Sequence, residues 1–290
     1  MPAHDIELAS PHLRLAARAW GEPALPKLLA LHGWLDNAAS FDALAPLLCG
    51  KFHIVAIDFP GHGRSQWRAP GAWYHYVDYL SDALDAADAL GWQRFGLLGH
   101  SLGAAVASML AGACPDRVER LLLIEGLGPI TQVAEQALGQ LQRAFAERGA
   151  ATGKSPRVFA NGDDAVSARM RANGLSRAAA LMLVERGLKP VDGGFTWSTD
   201  PRLMLTSPVR NTEEQVLAVL RGVRAPTGLI LAEPAQPYMP RAGMDHRIAQ
   251  VADIEVARLA GSHHLHMENP QLVATALLAF QAATTRRTAE

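Results

Sequence analysis

The chain reads as an α/β fold: a mostly parallel central sheet flanked by helices, with a helical segment inserted between two of its strands. Three observations predict it. Short apolar runs alternate with helix-like stretches through the first half and return near the C-terminus. The stretch from 129 to 214 breaks that alternation with helical and irregular patterns. Hydrophobic residues make up 49% of the 290 and the formal net charge is −1, so the chain has the apolar side chains for a large core.

The elements follow in order. His12 to Trp20 alternates apolar and polar residues, as a half-buried strand does. Leu28 to Leu31 is a short buried run ending in His32-Gly33, and Ser40 to Leu48 reads as a helix. Phe52 to Ile57 is β-rich and stops at Asp58, before the turn-forming Pro60-Gly61-His62-Gly63. Val77 to Leu90 is helical, Arg94 to Leu98 is a strand reaching Gly99, Leu102 to Cys114 is a helix, and Arg120 to Ile124 is a fifth strand. Within the insertion, Leu138 to Arg148 and Ala178 to Arg186 read as helices, and Gly193 to Pro208 as irregular structure. Strands return at Thr227 to Ala232 and Ile254 to Leu259, a helix spans Gln271 to Ala283, and the polar tail Thr284 to Glu290 is expected to fray. The division is therefore a core of 1–128 and 215–290 around an insertion of 129–214.

Composition excludes several partners. The 27 basic and 28 acidic residues are balanced and no basic patch stands out, which argues against nucleic acid and anionic membrane surfaces. Cys49 and Cys114 form no CxxC motif and no disulfide framework. Met1 to Ser10 has no apolar secretory stretch, and no run approaches a membrane span, so a cytoplasmic protein is expected.

The strongest chemical signal is Gly99-His100-Ser101-Leu102-Gly103. A serine on a sharp strand-to-helix turn leaves no room for side chains two residues either side, hence the glycines. The turn exposes the hydroxyl at the carboxyl edge of the sheet, and the helix start aims N–H groups at developing negative charge. The small residues Ala104, Ala105, Ala107 and Ser108 supply the helix context. His32-Gly33-Trp34-Leu35-Asp36-Asn37 follows another strand, and there the Trp34 N–H, with that of Leu102, would form an oxyanion hole.

These motifs, with Asp58-Phe59-Pro60-Gly61-His62-Gly63-Arg64-Ser65 between them, resemble the α/β-hydrolase superfamily from about Leu13 to Ala283. His32 to Asp42, Phe195-Thr196-Trp197, Asp200 to Leu203 and Ser207 to Arg210 resemble its serine hydrolase-like subfamily. The resemblance implies an α/β-hydrolase fold with a helical cap and hydrolysis of an ester-like bond. It also implies a catalytic histidine shortly after a glycine, with another histidine three positions later. In Gly261-Ser262-His263-His264-Leu265-His266 this makes His263 the base and His266 the second, with His264 the alternative. A metal site built on these three histidines is a further alternative, but no Cys partner or HExxH spacing accompanies them.

The acid departs from the common pattern. Where many α/β-hydrolases carry aspartate, after the penultimate strand, this chain has Ala235. A variant arrangement takes the acid from the strand after the nucleophile helix, which here ends at Glu125. A carboxylate there would fix the imidazole tautomer and stabilise imidazolium. Glu233 and Asp245 are the alternatives.

The expectation is thus a serine esterase with Ser101 as nucleophile, His263 as base and Glu125 as acid. It needs no cofactor or metal, and it acts on a small ester-like substrate that is apolar around the cleaved bond. Thioester, lactone or carbon–carbon hydrolysis by the same triad is the alternative within enzymes. A ligand-binding receptor of this fold with little turnover is the alternative outside them.

Overall fold

The computed structural model describes residues 3–151, 157–236 and 240–287. The chain opens with a hairpin, β1 (His4–Ala9) and β2 (Arg14–Trp20). It continues through β3 (Lys27–Leu31), the single turn α1 (Ala45–Leu48), β4 (His53–Ile57), α2 (Asp78–Ala89), β5 (Phe95–His100), α3 (Leu102–Ala113) and β6 (Val118–Ile124). Between β6 and the next sheet strand lie α4 (Ala137–Ala151), α5 (Gly162–Asn173), α6 (Arg177–Gly187), the hairpin β7 (Leu188–Val191) and β8 (Gly194–Trp197), and α7 (Glu213–Leu220). Then come β9 (Thr227–Glu233), α8 (Arg241–Ile248), β10 (Ile254–Ala260), the short α9 (Leu265–Glu268) and α10 (Pro270–Arg287).

The eight sheet strands run in the order β1-β2-β4-β3-β5-β6-β9-β10. β2 is antiparallel to both its neighbours, and every pair from β4 to β10 is parallel. Parallel strands need crossovers, and helices make them, so both faces are covered. The strand sequences divide accordingly. Leu29, Leu31, Val55 and Ile57 pack with Ala83, Val106 and Leu110 of α2 and α3, while Leu28, Ala30, Ile54 and Ala56 pack with Leu48, Val273 and Leu277 of α1 and α10. Each fully buried leucine or isoleucine here contributes about 1.5–3 kcal/mol of transfer free energy. The continuous apolar runs that predicted the sheet are therefore two interleaved faces. The insertion has its own small core, in which Phe159, Val166, Leu183 and Val184 gather with Met267 of α9.

Several elements differ from the expectation. The strand β1 was not anticipated: it is an edge strand whose only buried residue is Leu8, so it lacks an apolar run. The expected helix Ser40 to Leu48 divides into a 3-10 turn, Ala38–Phe41, capped by the Asn37 side chain, and α1 with Pro46 in its first turn. The helix α5 was missed because its apolar residues are sparse. Its signals are at its ends, where the Asn161 side chain accepts from the Asp164 N–H at 2.9 Å and Gly174 closes it at φ 65°. Gly193 to Pro208 is not irregular throughout, since β7 and β8 pair across Asp192-Gly193, a two-residue hairpin sequence. At the C-terminus α10 runs to Arg287 instead of stopping at Ala283, and the end of the tail expected to fray, 288–290, lies outside the described residues.

Candidate active site

The parallel order β3-β5-β6-β9 brings four carboxyl ends to one edge, and the candidate residues lie there. Ser101 follows β5 at φ 53° and ψ −112°, a conformation costly for any residue with a Cβ. The turn is fastened rather than free. The Ser101 N–H donates to the Ile124 carbonyl of β6 at 3.0 Å. The glycines around it are required by contact: a Cβ on Gly99 would lie 2.4 Å from the Gly103 carbonyl, and one on Gly103 would lie 1.9 Å from the Leu31 carbonyl of β3. Leu102 begins α3, so its N–H has no acceptor within the helix.

Glu125 leaves β6 with φ 56° and is buried. Its N–H donates to the Ile230 carbonyl at 2.9 Å, and its Oε1 accepts from the Ala232 N–H at 2.6 Å. Both contacts come from β9, the next strand of the sheet. The other oxygen, Oε2, lies 3.1 Å from His263 Nδ1. His263 sits between β10 and α9, and its Nε2 is 2.9 Å from the Ser101 Oγ. Hydroxyl, imidazole and carboxylate thus stand in one hydrogen-bonded chain.

The alternatives lie elsewhere. Glu233 pairs with Arg241, and Asp245 receives Arg258 at 2.6 Å. His264 turns away from the serine, its Nε2 lying 3.3 Å from Asp36 Oδ2. His266 is fully buried, with no hydrogen-bond partner on either ring nitrogen among the described residues, and burial and the charge of His264 push its pKa down to about 3. Trp34 is half exposed, and its indole N–H donates to the Leu203 carbonyl at 3.2 Å. The hydrogen bond that closes its turn runs from the Asp36 N–H to the Gly33 carbonyl.

The metal alternative on His263, His264 and His266 does not gather. A different trio does: one ligand atom each from Asp36, His100 and His264 lies within 4.8 Å of the others. Asp36 already carries the guanidinium of Arg169, which supplies the positive charge that site would ask of a cation. Burial first, and then the neighbouring histidines, hold the His100 pKa well below the usual histidine range. Asp58 does what its place after a strand suggests, accepting from the Ala38 and Arg64 N–H groups at 2.7 and 2.8 Å and so shaping the Pro60 to Gly63 loop. Its partner was not foreseen: Arg186 of α6 binds both oxygens, at 3.0 and 2.9 Å, tying the insertion to the core. Neither Asp36–Arg169 nor Asp58–Arg186 has a signal in the linear sequence, since 133 and 128 residues separate the partners.

Residues 28–276 match the model of the alpha/beta hydrolase family. A serine hydrolase-like protein of Dictyostelium discoideum is 33% identical over 281 residues, covering 92% of this chain and 78% of that protein. A shorter stretch, 42% of this chain and 47% of the relative, is 35% identical to the pimeloyl-[acyl-carrier protein] methyl ester esterase of Neisseria meningitidis. The crystal structure of a hypothetical protein from Pseudomonas aeruginosa PAO1 superposes with a TM-score of 0.90 at 46% identity, covering 96% of this chain and 99% of that one. The doubly covered parallel sheet, the strained serine turn and these likenesses agree, and the chain belongs to the α/β-hydrolase family, in its serine hydrolase-like subfamily.

Proposed function

We propose that this chain is a serine hydrolase that cleaves a carboxylic ester through a Ser101–His263–Glu125 triad and an acyl-enzyme intermediate. The observation that carries the reading is the aligned pair of hydrogen bonds, 2.9 Å from Ser101 to His263 and 3.1 Å from His263 to Glu125. In the first half-reaction the Ser101 Oγ bonds to the ester carbonyl carbon as its proton passes to His263 Nε2. The carbonyl oxygen becomes an oxyanion, which the Trp34 and Leu102 N–H groups stabilise. Collapse breaks the carbon–oxygen bond, and the His263 proton leaves with the alcohol. Water then attacks the acyl-serine, with His263 again as base, and releases the acid. Glu125 holds the Nδ1–H tautomer and offsets the imidazolium charge, and its own position is fixed by the Ala232 N–H.

Residues 129–214 form the cap over this edge and set the substrate. An ester that is apolar around the cleaved bond fits the exposed Trp34 and Met204 beside the motif, with no cofactor taking part. The Neisseria relative, named for a methyl ester, favours an oxygen ester over the thioester, lactone and carbon–carbon alternatives. A panel of p-nitrophenyl esters of graded acyl length, run beside acyl-CoA thioesters, tests the assignment. Turnover of esters above thioesters, lost at least a thousandfold in Ser101→Ala, is expected. A thioester preference of tenfold or more would make the protein a thioesterase. Binding of esters without turnover would make it a ligand-binding member of the fold.

A further inference from the structure

Three segments that the triad mechanism needs meet at one buried carboxylate. Asp36 lies two residues past Trp34, and its side chain is almost wholly inaccessible. Its Oδ2 is 3.3 Å from Nε2 of His264, the neighbour of the base. The same oxygen is 3.7 Å from Nδ1 of His100, the neighbour of the nucleophile. Its Oδ1 accepts from Arg169 of α5, which also donates to the Leu35 carbonyl at 2.9 Å. Leu35 is held at φ 62°, so that turn needs outside support. His100 in turn donates its Nε2–H to the His263 carbonyl at 2.9 Å, which joins the nucleophile strand to the main chain of the base. Burial pushes the Asp36 carboxyl up, but the hydrogen bond and charge of His264, with the charge of Arg169, hold it well below the usual carboxylate range.

We propose that Asp36 is a positioning residue for the reacting centre and that Arg169 of the insertion completes it, so that docking of α5 sets the oxyanion turn and the His263 loop as one unit. The inference rests on the serine-hydrolase reading of Ser101 and His263. Stability alone is a poor explanation, because a buried ion pair repays little more than the desolvation of its two charges. The comparison inside the molecule is Asp58–Arg186, equally buried and also joining insertion to core. Among the described residues that pair hydrogen-bonds no neighbour of the triad, whereas Asp36 hydrogen-bonds His264, next to the base, and packs 3.7 Å from His100, next to the nucleophile. Outer groups that fix the orientation of reacting side chains act on rate more than on folding. The titratable and charged groups around this carboxylate are His32 after β3, His62 of the loop after β4, His100 from β5, His264 and His266 from the α9 region, and Arg169 from α5.

The test is the rate at which a fluorophosphonate labels Ser101, measured against pH, with folding checked by circular dichroism. The chains compared are wild type, Asp36→Asn, Arg169→Met, Arg169→Lys and Arg186→Met. Asp36→Asn and Arg169→Met are expected to label at least tenfold more slowly. Removing the negative charge should move the acid midpoint to lower pH, and removing the positive charge should move it to higher pH. Arg169→Lys should recover most of the rate, and folded Arg186→Met should keep the wild-type midpoint. Labelled wild type with Asp36 and Arg169 variants within twofold of it, and midpoints unmoved, would overturn this inference and leave the triad standing. Unlabelled wild type would overturn the triad reading and this inference with it. If Asp36→Asn does not fold, the Arg169→Met and Arg169→Lys pair decides the matter alone.

Discussion

Glu125 is the residue on which the proposed site turns, because as the proposed acid it stands in for one that many α/β-hydrolases place after β9. It reaches the same histidine from one strand earlier because β6 and β9 are parallel neighbours and end at the same edge. Glu125→Gln separates orientation from folding. The amide oxygen can still accept from the Ala232 N–H, leaving the amide nitrogen to face His263 Nδ1 and favour the wrong tautomer. The expected result is a loss of at least tens-fold in kcat with the melting temperature nearly unchanged. Glu233→Gln, which removes only an exposed pair with Arg241, should change kcat by less than twofold. Ester hydrolysis by the two purified variants checks both. Motif order and chain order named Ser101, His263 and Glu125 as candidates, and the structure brings these three side chains within hydrogen-bond distance. The ion pair of Asp36 with Arg169 was not legible in the sequence, because no local pattern links a turn after β3 to a helix 133 residues later.

Glycine does different work in different elements, and the contrast is measurable. Where α3 crosses β3, Gly103 leaves no space for a methyl group, and the obstacle is the Leu31 main chain. Gly103→Ala should therefore destabilise the protein by about 3 kcal/mol or more, since backbone cannot step aside as a side chain can. Gly139, in α4, has open space around its Cα. Gly139→Ala should be neutral or stabilising by about 0.5–1 kcal/mol. Denaturant titration of both variants reads the difference. The same contrast explains what the sequence revealed about elements. The sheet strands are apolar on both faces and announce themselves. The helix α5 is marked by its caps, Asn161 and Gly174, and β1 by nothing stronger than one buried leucine. Pattern recognition follows burial, so the half-exposed elements were the ones missed.

At the scale of the whole molecule, buried histidines should govern stability against pH. Burial first, then neighbouring charges, pushes His32 down to about 4 and His62 and His266 down to about 3, with His100 also held low. The unfolded chain protonates these rings below about 6.5, while in the native chain His32, His62 and His266 do not take up a proton until pH 3–4 and His100 is lowered in the same direction. Protons therefore favour the unfolded state, and the stability present above pH 6.5 drains away as the pH falls through that window. Burial raises Asp42 and Asp82 to about 6, which acts with the opposite sign between about 4 and 6. Four lowered histidines outweigh two raised carboxyls, so the melting temperature should fall from pH 7 to pH 4.5. Thermal melts across that range check it, and a flat or rising curve would contradict it. The fold itself was the most legible feature, because strand alternation and interruption are properties of the whole chain. The inserted segment's contacts with the core were the least, because Arg169 and Arg186 look like ordinary surface arginines until their buried carboxylates are seen.

The proposed function stands on Ser101 acting as a nucleophile activated by His263. Intact-mass and peptide mapping after incubation with a fluorophosphonate tests it directly. One adduct is expected, mapped to Ser101, absent from Ser101→Ala and at least a hundredfold slower to form in His263→Ala. A wild-type protein that is folded and unlabelled, or labelled equally fast without His263, would contradict it.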